Sequence, residues 1–119
     1  MKVYGLGLKG EEAAKRYLRK KGYKILECNY QCRFGELDII AKDKSGLVFC
    51  EVKTRSEGMI APPQASVHYA KQQKMIKTAL FWLQSQKIED QPMRFDVIAV
   101  CQGTDGKLSI EHLENAFTL

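Results

Sequence analysis

The amino-acid sequence predicts an α/β domain in which a mixed central sheet is flanked by helices, in the order αβββαβ with a short C-terminal addition. Three observations carry that reading. A helical spacing of apolar residues opens the chain, three strand-like runs follow across glycine-containing gaps, and a second helical stretch leads into a fourth apolar run. Consecutive strands joined by short turns argue for an antiparallel meander, and a helix crossing to a further strand adds a parallel or mixed edge.

Each element has a local cause. Over residues 6–21, Leu6, Ala13, Ala14, Tyr17 and Leu18 recur at helical spacing, Lys15, Arg16, Arg19 and Lys20 take the other face, and Gly22 is a natural stop. Residues 23–30, 36–42 and 47–54 read as strands, punctuated by Gly35 and by Asp43-Lys44-Ser45-Gly46. Residues 56–63, with Gly58, Pro62 and Pro63, read as a loop. The second helix is expected over 64–86, with Val67, Ile76, Ala79, Leu80 and Leu83 turned inward and Trp82 in the core. Residues 93–101 read as the fourth strand and 102–107 as a turn, and the tail from Leu108 as a short strand with a last helical turn.

A chain of 119 residues is the size of one domain, here 1–119. With 45% hydrophobic and 28% charged residues, 3 Pro and 9 Gly, it is neither disordered nor collagen-like. Its apolar runs are too short to span a bilayer, and Met1-Lys2-Val3-Tyr4-Gly5 lacks the apolar stretch of a secretion signal, so a cytoplasmic protein with no membrane partner is expected. The cysteines at 28, 32, 50 and 101 lack zinc-site spacing, and His68 and His112 are the only histidines. A net charge of +5 suits a polyanionic partner such as nucleic acid, and equally a solvated basic surface.

The chemistry concentrates in Gly35-Glu36-Leu37-Asp38-Ile39-Ile40 and Phe49-Cys50-Glu51-Val52-Lys53-Thr54-Arg55. If Asp43 and Gly46 close a two-residue turn, Asp38 lies opposite Glu51, Glu36 opposite Lys53 and Ile40 opposite Phe49. Leu37, Ile39 and Ala41 then share an apolar core face with Val48, Cys50 and Val52, and the acids gather on the other face. Opposed Asp38 and Glu51 would have Cβ atoms about 4.5–5.5 Å apart, a placement that destabilises like charges. A divalent cation turns that conflict into a binding site, because Mg²⁺ favours one or two carboxylates plus waters and phosphate oxygens. Lys53, on the same face, is placed to hold a water or to steady a phosphoryl charge.

The spacing of Asp38 and Glu51-Val52-Lys53 resembles the PD-(D/E)XK nuclease superfamily. Leu6-Gly7-Leu8-Lys9-Gly10-Glu11, Gly22-Tyr23, Gly35-Glu36-Leu37-Asp38, Glu51-Val52-Lys53-Thr54-Arg55 and Arg94-Phe95-Asp96-Val97 resemble, more narrowly, the YraN-like bacterial family, grouped with Holliday-junction-resolvase-type endonucleases. The resemblance implies a restriction-endonuclease-like three-layer αβββαβ core. It implies Asp38, Glu51 and Lys53 as the catalytic set and Mg²⁺ or Mn²⁺ on Asp38, Glu51 and the first-helix Glu11. It favours Lys71 and Gln72 as phosphate or water positioners, although a solvated helix face explains them as well. Leu37 stands where the superfamily's motif has proline.

Glu36 suits a second metal or a salt bridge to Lys53, and Arg55 a phosphate contact or plain solvation. Lys15, Arg16, Arg19, Lys20, Lys21 and Lys24 form a basic cluster that can track a nucleic-acid backbone or simply be solvated. Asp96 and His112 read as structural. The expected function is metal-dependent endonucleolytic cleavage of DNA, more than RNA, including branched or structured DNA, and a two-fold substrate would favour a homodimer. The alternatives are a non-catalytic nucleic-acid binding module with the same fold and a protein-interaction domain with an acidic face.

Overall fold

Seven elements follow one another: α1 (Leu6–Lys20), β1 (Lys24–Cys32), β2 (Gly35–Asp43), β3 (Gly46–Ser56), α2 (Tyr69–Ser85), β4 (Met93–Gln102) and β5 (Leu108–Phe117). The computed structural model describes residues 6–56, 68–89 and 91–119. The expected loop beyond Ser56, and residues 64–67 of the expected second helix with Val67, lie outside the described residues.

The strands form one five-stranded sheet in sequence order, antiparallel from β1 to β3, parallel between β3 and β4, and antiparallel again to β5. The expected meander and crossover are therefore present. The fourth strand is not an edge, however, and the tail carries no helical turn. Leu108–Phe117 is a ten-residue strand that covers β4, because its apolar and polar residues alternate well enough to pair along most of that strand.

The β2–β3 turn closes as the sequence predicts, with Asp43 paired to Gly46 and Ile40 to Phe49. The Asp43 carboxylate accepts from the Ser45 amide at 2.8 Å and the Ser45 hydroxyl at 2.6 Å, a side-chain turn that pre-forms the hairpin. Gly46 has φ +138°, and a Cβ there would collide with the Pro92 carbonyl, which itself accepts from the Leu47 amide at 2.9 Å.

Both sheet faces are buried, which overturns the expectation of one apolar and one polar face on the hairpin. On one side α2 lays Met75, Ile76, Ala79 and Trp82 against Ile40, Leu47, Phe49, Phe95 and Val97. On the other, α1 lays Ala13, Ala14 and Leu18 against Ile39, Ala41, Val48, Cys50, Ile98 and Val100. Leu80, expected inside, is 48% exposed, because the buried stripe of α2 runs through Met75, Ile76, Thr78, Ala79 and Trp82. Trp82 is in the core as expected, its indole N–H held by Glu27 at 2.9 Å.

A buried polar network clamps α1 and β5 to β4. Asp96, fully buried, accepts from Arg94 Nε at 3.0 Å, from His112 Nε2 at 2.6 Å and from the Asn115 amide at 2.9 Å. His112 Nδ1 meets the Tyr17 hydroxyl at 3.0 Å, and Arg94 also donates to the Tyr23 hydroxyl. Asp96 and His112 are thus structural, as their sequence context suggests, and the Gly22-Tyr23 and Arg94-Phe95-Asp96-Val97 motifs serve this one strut.

Candidate functional site

The site forms where β2 and β3 part. Their ladder ends at Ile39–Cys50; the expected pairs Asp38–Glu51 and Glu36–Lys53 are not part of it. One strand over, Asn29 lies between the β1–β2 pairs Cys28–Ile39 and Tyr30–Leu37 and has φ +53°. This local kink accompanies a change of face: Leu37 packs in the α2-side cluster with Ile40, while Ile39 and Ala41 pack on the α1 side. The expectation that Leu37 shares a face with Ile39 is corrected accordingly.

Asp38 and Glu51 nevertheless come together. Asp38 Oδ2 accepts the Val52 amide hydrogen at 2.7 Å, which sets its carboxyl group beside that of Glu51, close enough for the two charges to act on each other. Burial first, and then the neighbouring Glu51 charge, push the Asp38 carboxyl up to about 7, against the pull of the Val52 N–H. Glu51 is 8% exposed, and Lys71 Nζ from the first turn of α2 stands 3.4 Å from its Oε2. Two acids side by side, with a lysine on one of them, sit where water screens them poorly.

The other expected residues fall as follows. Lys53 is half-buried and, by strand alternation, on the Glu51 side of β3; it makes no ion pair with a described carboxylate. Arg55 is half-buried near the end of β3, and Gln72 follows Lys71 on α2. Glu36 is exposed and accepts from Gln31 at 3.0 Å rather than pairing with Lys53. Glu11 comes from α1, on the other face of the sheet, and accepts from Asn29 Nδ2 at 2.7 Å. Among the described residues, no three His, Cys, Asp or Glu side chains gather as a ready-made cation cage. The sequence reading missed Asn29, which holds Glu11 one strand away from Asp38. Its signal was an asparagine inside a strand, a residue type strands disfavour.

Gly10 explains how α1 approaches the site. It is buried, and a Cβ on it would collide with the Thr54 side chain. Helix and strand therefore touch backbone to side chain just where Glu11 follows. Chemically, Asp38 and Glu51 offer the hard oxygen donors that Mg²⁺ and Mn²⁺ take, with room in the coordination sphere for water and phosphate; the donor set fits such an ion.

An αβββαβ order, a mixed sheet covered on both faces and paired acids at the opening of its central hairpin define an α/β domain with helices on both sides of one sheet. The chain belongs to Uncharacterised protein family UPF0102, whose model matches residues 10–100; this is the YraN-like family that its motifs resemble. The UPF0102 protein of Pelobacter propionicus is 47% identical over 115 residues, covering 95% of this chain and 82% of that protein. That of Thermodesulfovibrio yellowstonii is 51% identical over 112 residues, covering 94% and 95%. Among solved structures, the chain is similar to a repair endonuclease from Pyrococcus abyssi, with TM-score 0.39 and 18% identity over 89% of this chain and 42% of that one. It is also similar to SfsA of Pyrococcus furiosus in complex with Ca²⁺, with TM-score 0.38 and 11% identity over 96% and 64%. The chain thus spans less than two thirds of either solved protein.

Proposed function

We propose that this chain is a divalent-cation-dependent endonuclease that hydrolyses phosphodiester bonds in nucleic acid, DNA in preference to RNA. One observation supports this most: Asp38 and Glu51 are pressed together in a partly dry site, beside Lys71 and two residues from Lys53. Asp38 and Glu51 would hold Mg²⁺ or Mn²⁺, with Glu11 as a further ligand once it leaves Asn29. Such an ion supplies Lewis acidity toward a phosphoryl oxygen. Lys53 holds the attacking water in line and donates hydrogen bonds to the phosphoryl oxygens as charge builds there. Lys71, freed from Glu51, is a second cation for the same oxygens, and the Val52 amide keeps Asp38 in its rotamer throughout.

The test is a panel of labelled linear, flapped and four-way-branched DNA, with RNA counterparts, incubated with the purified chain in Mn²⁺ or EDTA. Cleavage should require the ion and fall about 10²-fold or more in Asp38→Asn, Glu51→Gln and Lys53→Ala, as loss of one charge-stabilising group does elsewhere. A wild-type chain that cuts nothing on the panel ends the enzymatic reading.

A second reading is a nucleic-acid binding module with this fold and no turnover. Its support is that Lys71 already neutralises Glu51, and that no buried side-chain N or O among the described residues lacks a partner. It expects salt-dependent DNA binding with identical Mn²⁺ calorimetry for wild type and Asp38→Asn.

A further inference from the structure

The turn joining β1 to β2 and the outer side of α2 enclose a cleft of about 500 Å³, lined among others by Arg33, Phe34, Lys77, Leu80, Phe81 and Gln84. Phe34 and Phe81 meet edge to face at 5.7 Å, and the Arg33 guanidinium lies over both rings at 4.9 and 5.9 Å. Both rings are only half-buried, Arg33 and Lys77 are exposed, and the out-turned Leu80 adds apolar surface to the lining. The turn is held close to the helix, since a Cβ on Gly35 would come within 3.1 Å of Thr78 Oγ1 and 3.5 Å of Lys74 Cβ.

A row of cations leads there. Lys71, at Glu51, is followed along α2 at three-residue steps by Lys74, Lys77 and then Leu80, and such steps are neighbours on a helix surface. From Lys71 to Phe81 the helix rises about 15 Å, a span of a few nucleotides. We propose that the cleft is a nucleobase site: it takes an unpaired base by stacking on the Phe34, Phe81 and Arg33 surfaces, while Lys71, Lys74 and Lys77 follow that strand's phosphates. Aromatic and guanidinium faces stack on any base, and the lysines match the polyanion. A base inside a duplex has no free face to offer. The inference rests on the nucleic-acid reading of the Asp38–Glu51 site and adds that its substrate carries unpaired nucleotides beside the cut, as in a flap, a gap or a frayed junction.

Fluorescence anisotropy of the full chain in EDTA tests this with a labelled single-stranded DNA, an RNA of the same sequence and a blunt duplex. Phe81→Leu and Phe34→Leu should each weaken single-strand binding about tenfold and leave duplex binding unchanged. The DNA and RNA arms show which sugar the strand carries. A 2-aminopurine in the strand should be quenched by wild type and not by Phe81→Leu. If Phe81→Leu does not fold, Phe34→Leu and the charge variant Lys77→Glu carry the comparison. Equal single-strand affinity in wild type and the leucine variants overturns the proposal, as does a groove that binds peptide and ignores oligonucleotides. Because binding is read without divalent ion, the two readings separate. A chain that binds unpaired strands through Phe81 but cuts nothing removes only the hydrolytic reading. A chain that cuts, yet binds strands equally well without the aromatic faces, removes only the nucleobase site.

Discussion

The Asp38 carboxylate takes the Val52 amide hydrogen at 2.7 Å, just where a continued β2–β3 ladder would pair Leu37 with Val52. A side chain thus replaces the next backbone rung. The substitution fixes Asp38 against the strand that carries Glu51, and lets the two strands separate far enough to open a site. The cost is a carboxyl group held beside another in poor contact with water.

That cost has a sign. The Asp38 carboxyl is raised to about 7, from an ordinary value of 3.8, by burial and by Glu51. Between those values the folded chain binds more protons than the unfolded one, so without metal its stability falls as pH rises through that window. Asp38→Asn keeps an acceptor for the Val52 amide and removes the charge. In EDTA at pH 8 the variant should melt several degrees above wild type, about 1 kcal/mol or more, and the gap should shrink as pH falls and close only below the ordinary carboxyl value of 3.8. Saturating Mn²⁺ should raise the wild-type melt alone. Parallel melting curves across pH would count against a strained acid pair.

Gly10 and Thr54 give a test of how α1 is seated. Alanine in a helix interior gains about 1 kcal/mol over glycine, yet at position 10 its Cβ would strike Thr54. Gly10→Ala should therefore destabilise the wild-type chain by roughly 1–3 kcal/mol, as overpacking does. In a Thr54→Ala background the same change should become neutral or stabilising. A denaturant-based double-mutant cycle with no coupling would show that helix and strand are not in contact there.

Much of this architecture was legible in the residues. Alternation and the Asp43 to Gly46 turn set the hairpin register, since slipping one residue would turn Ile39, Ala41 and Val48 away from the α1 layer they pack against. What stayed hidden depended on long-range partners. Leu80 looked apolar and inward, but the burial of α2 follows what β2, β3 and β4 present, and that stripe runs through Trp82. Leu37 changed sides beside a left-handed Asn29 on the neighbouring strand, and Glu36 found Gln31 rather than Lys53. The tail became a full strand because β4 offered an open edge to pair with. That Asp38 and Glu51 lie side by side was readable from spacing; Lys71 on Glu51 and Asn29 on Glu11 needed the fold.

The Asp96 strut should be the most acid-sensitive part of the fold. Burial alone would raise its carboxyl, but hydrogen bonds from His112, Arg94 and the Asn115 amide outweigh it and hold it below its ordinary value. A depressed carboxyl adds stability above the unfolded value of 3.8 that is lost as pH falls through the folded one. Asp96→Ala, which strands Arg94 and His112 without their acceptor, should cost roughly 3–5 kcal/mol. Urea titrations at pH 7 and pH 3 measure this; the gap between wild type and variant should narrow at the lower pH.

Lys71 and a divalent ion compete for one carboxylate. With Nζ 3.4 Å from Glu51 Oε2 and a side chain 36% exposed, Lys71 can swing away at little cost in packing. While it stays, Glu51 is already neutralised and any arriving cation must displace it. Lys71→Ala removes that competitor without touching either acid, so its Mn²⁺ affinity by calorimetry should exceed wild type by several-fold. The gain should shrink at high salt, because a partly exposed ion pair is screened. If Lys71 also grips phosphate, the same variant should cut more slowly despite binding metal more tightly, a split that simple loss of folding would not produce. Unchanged or weaker Mn²⁺ binding would mean that the ion does not use Glu51.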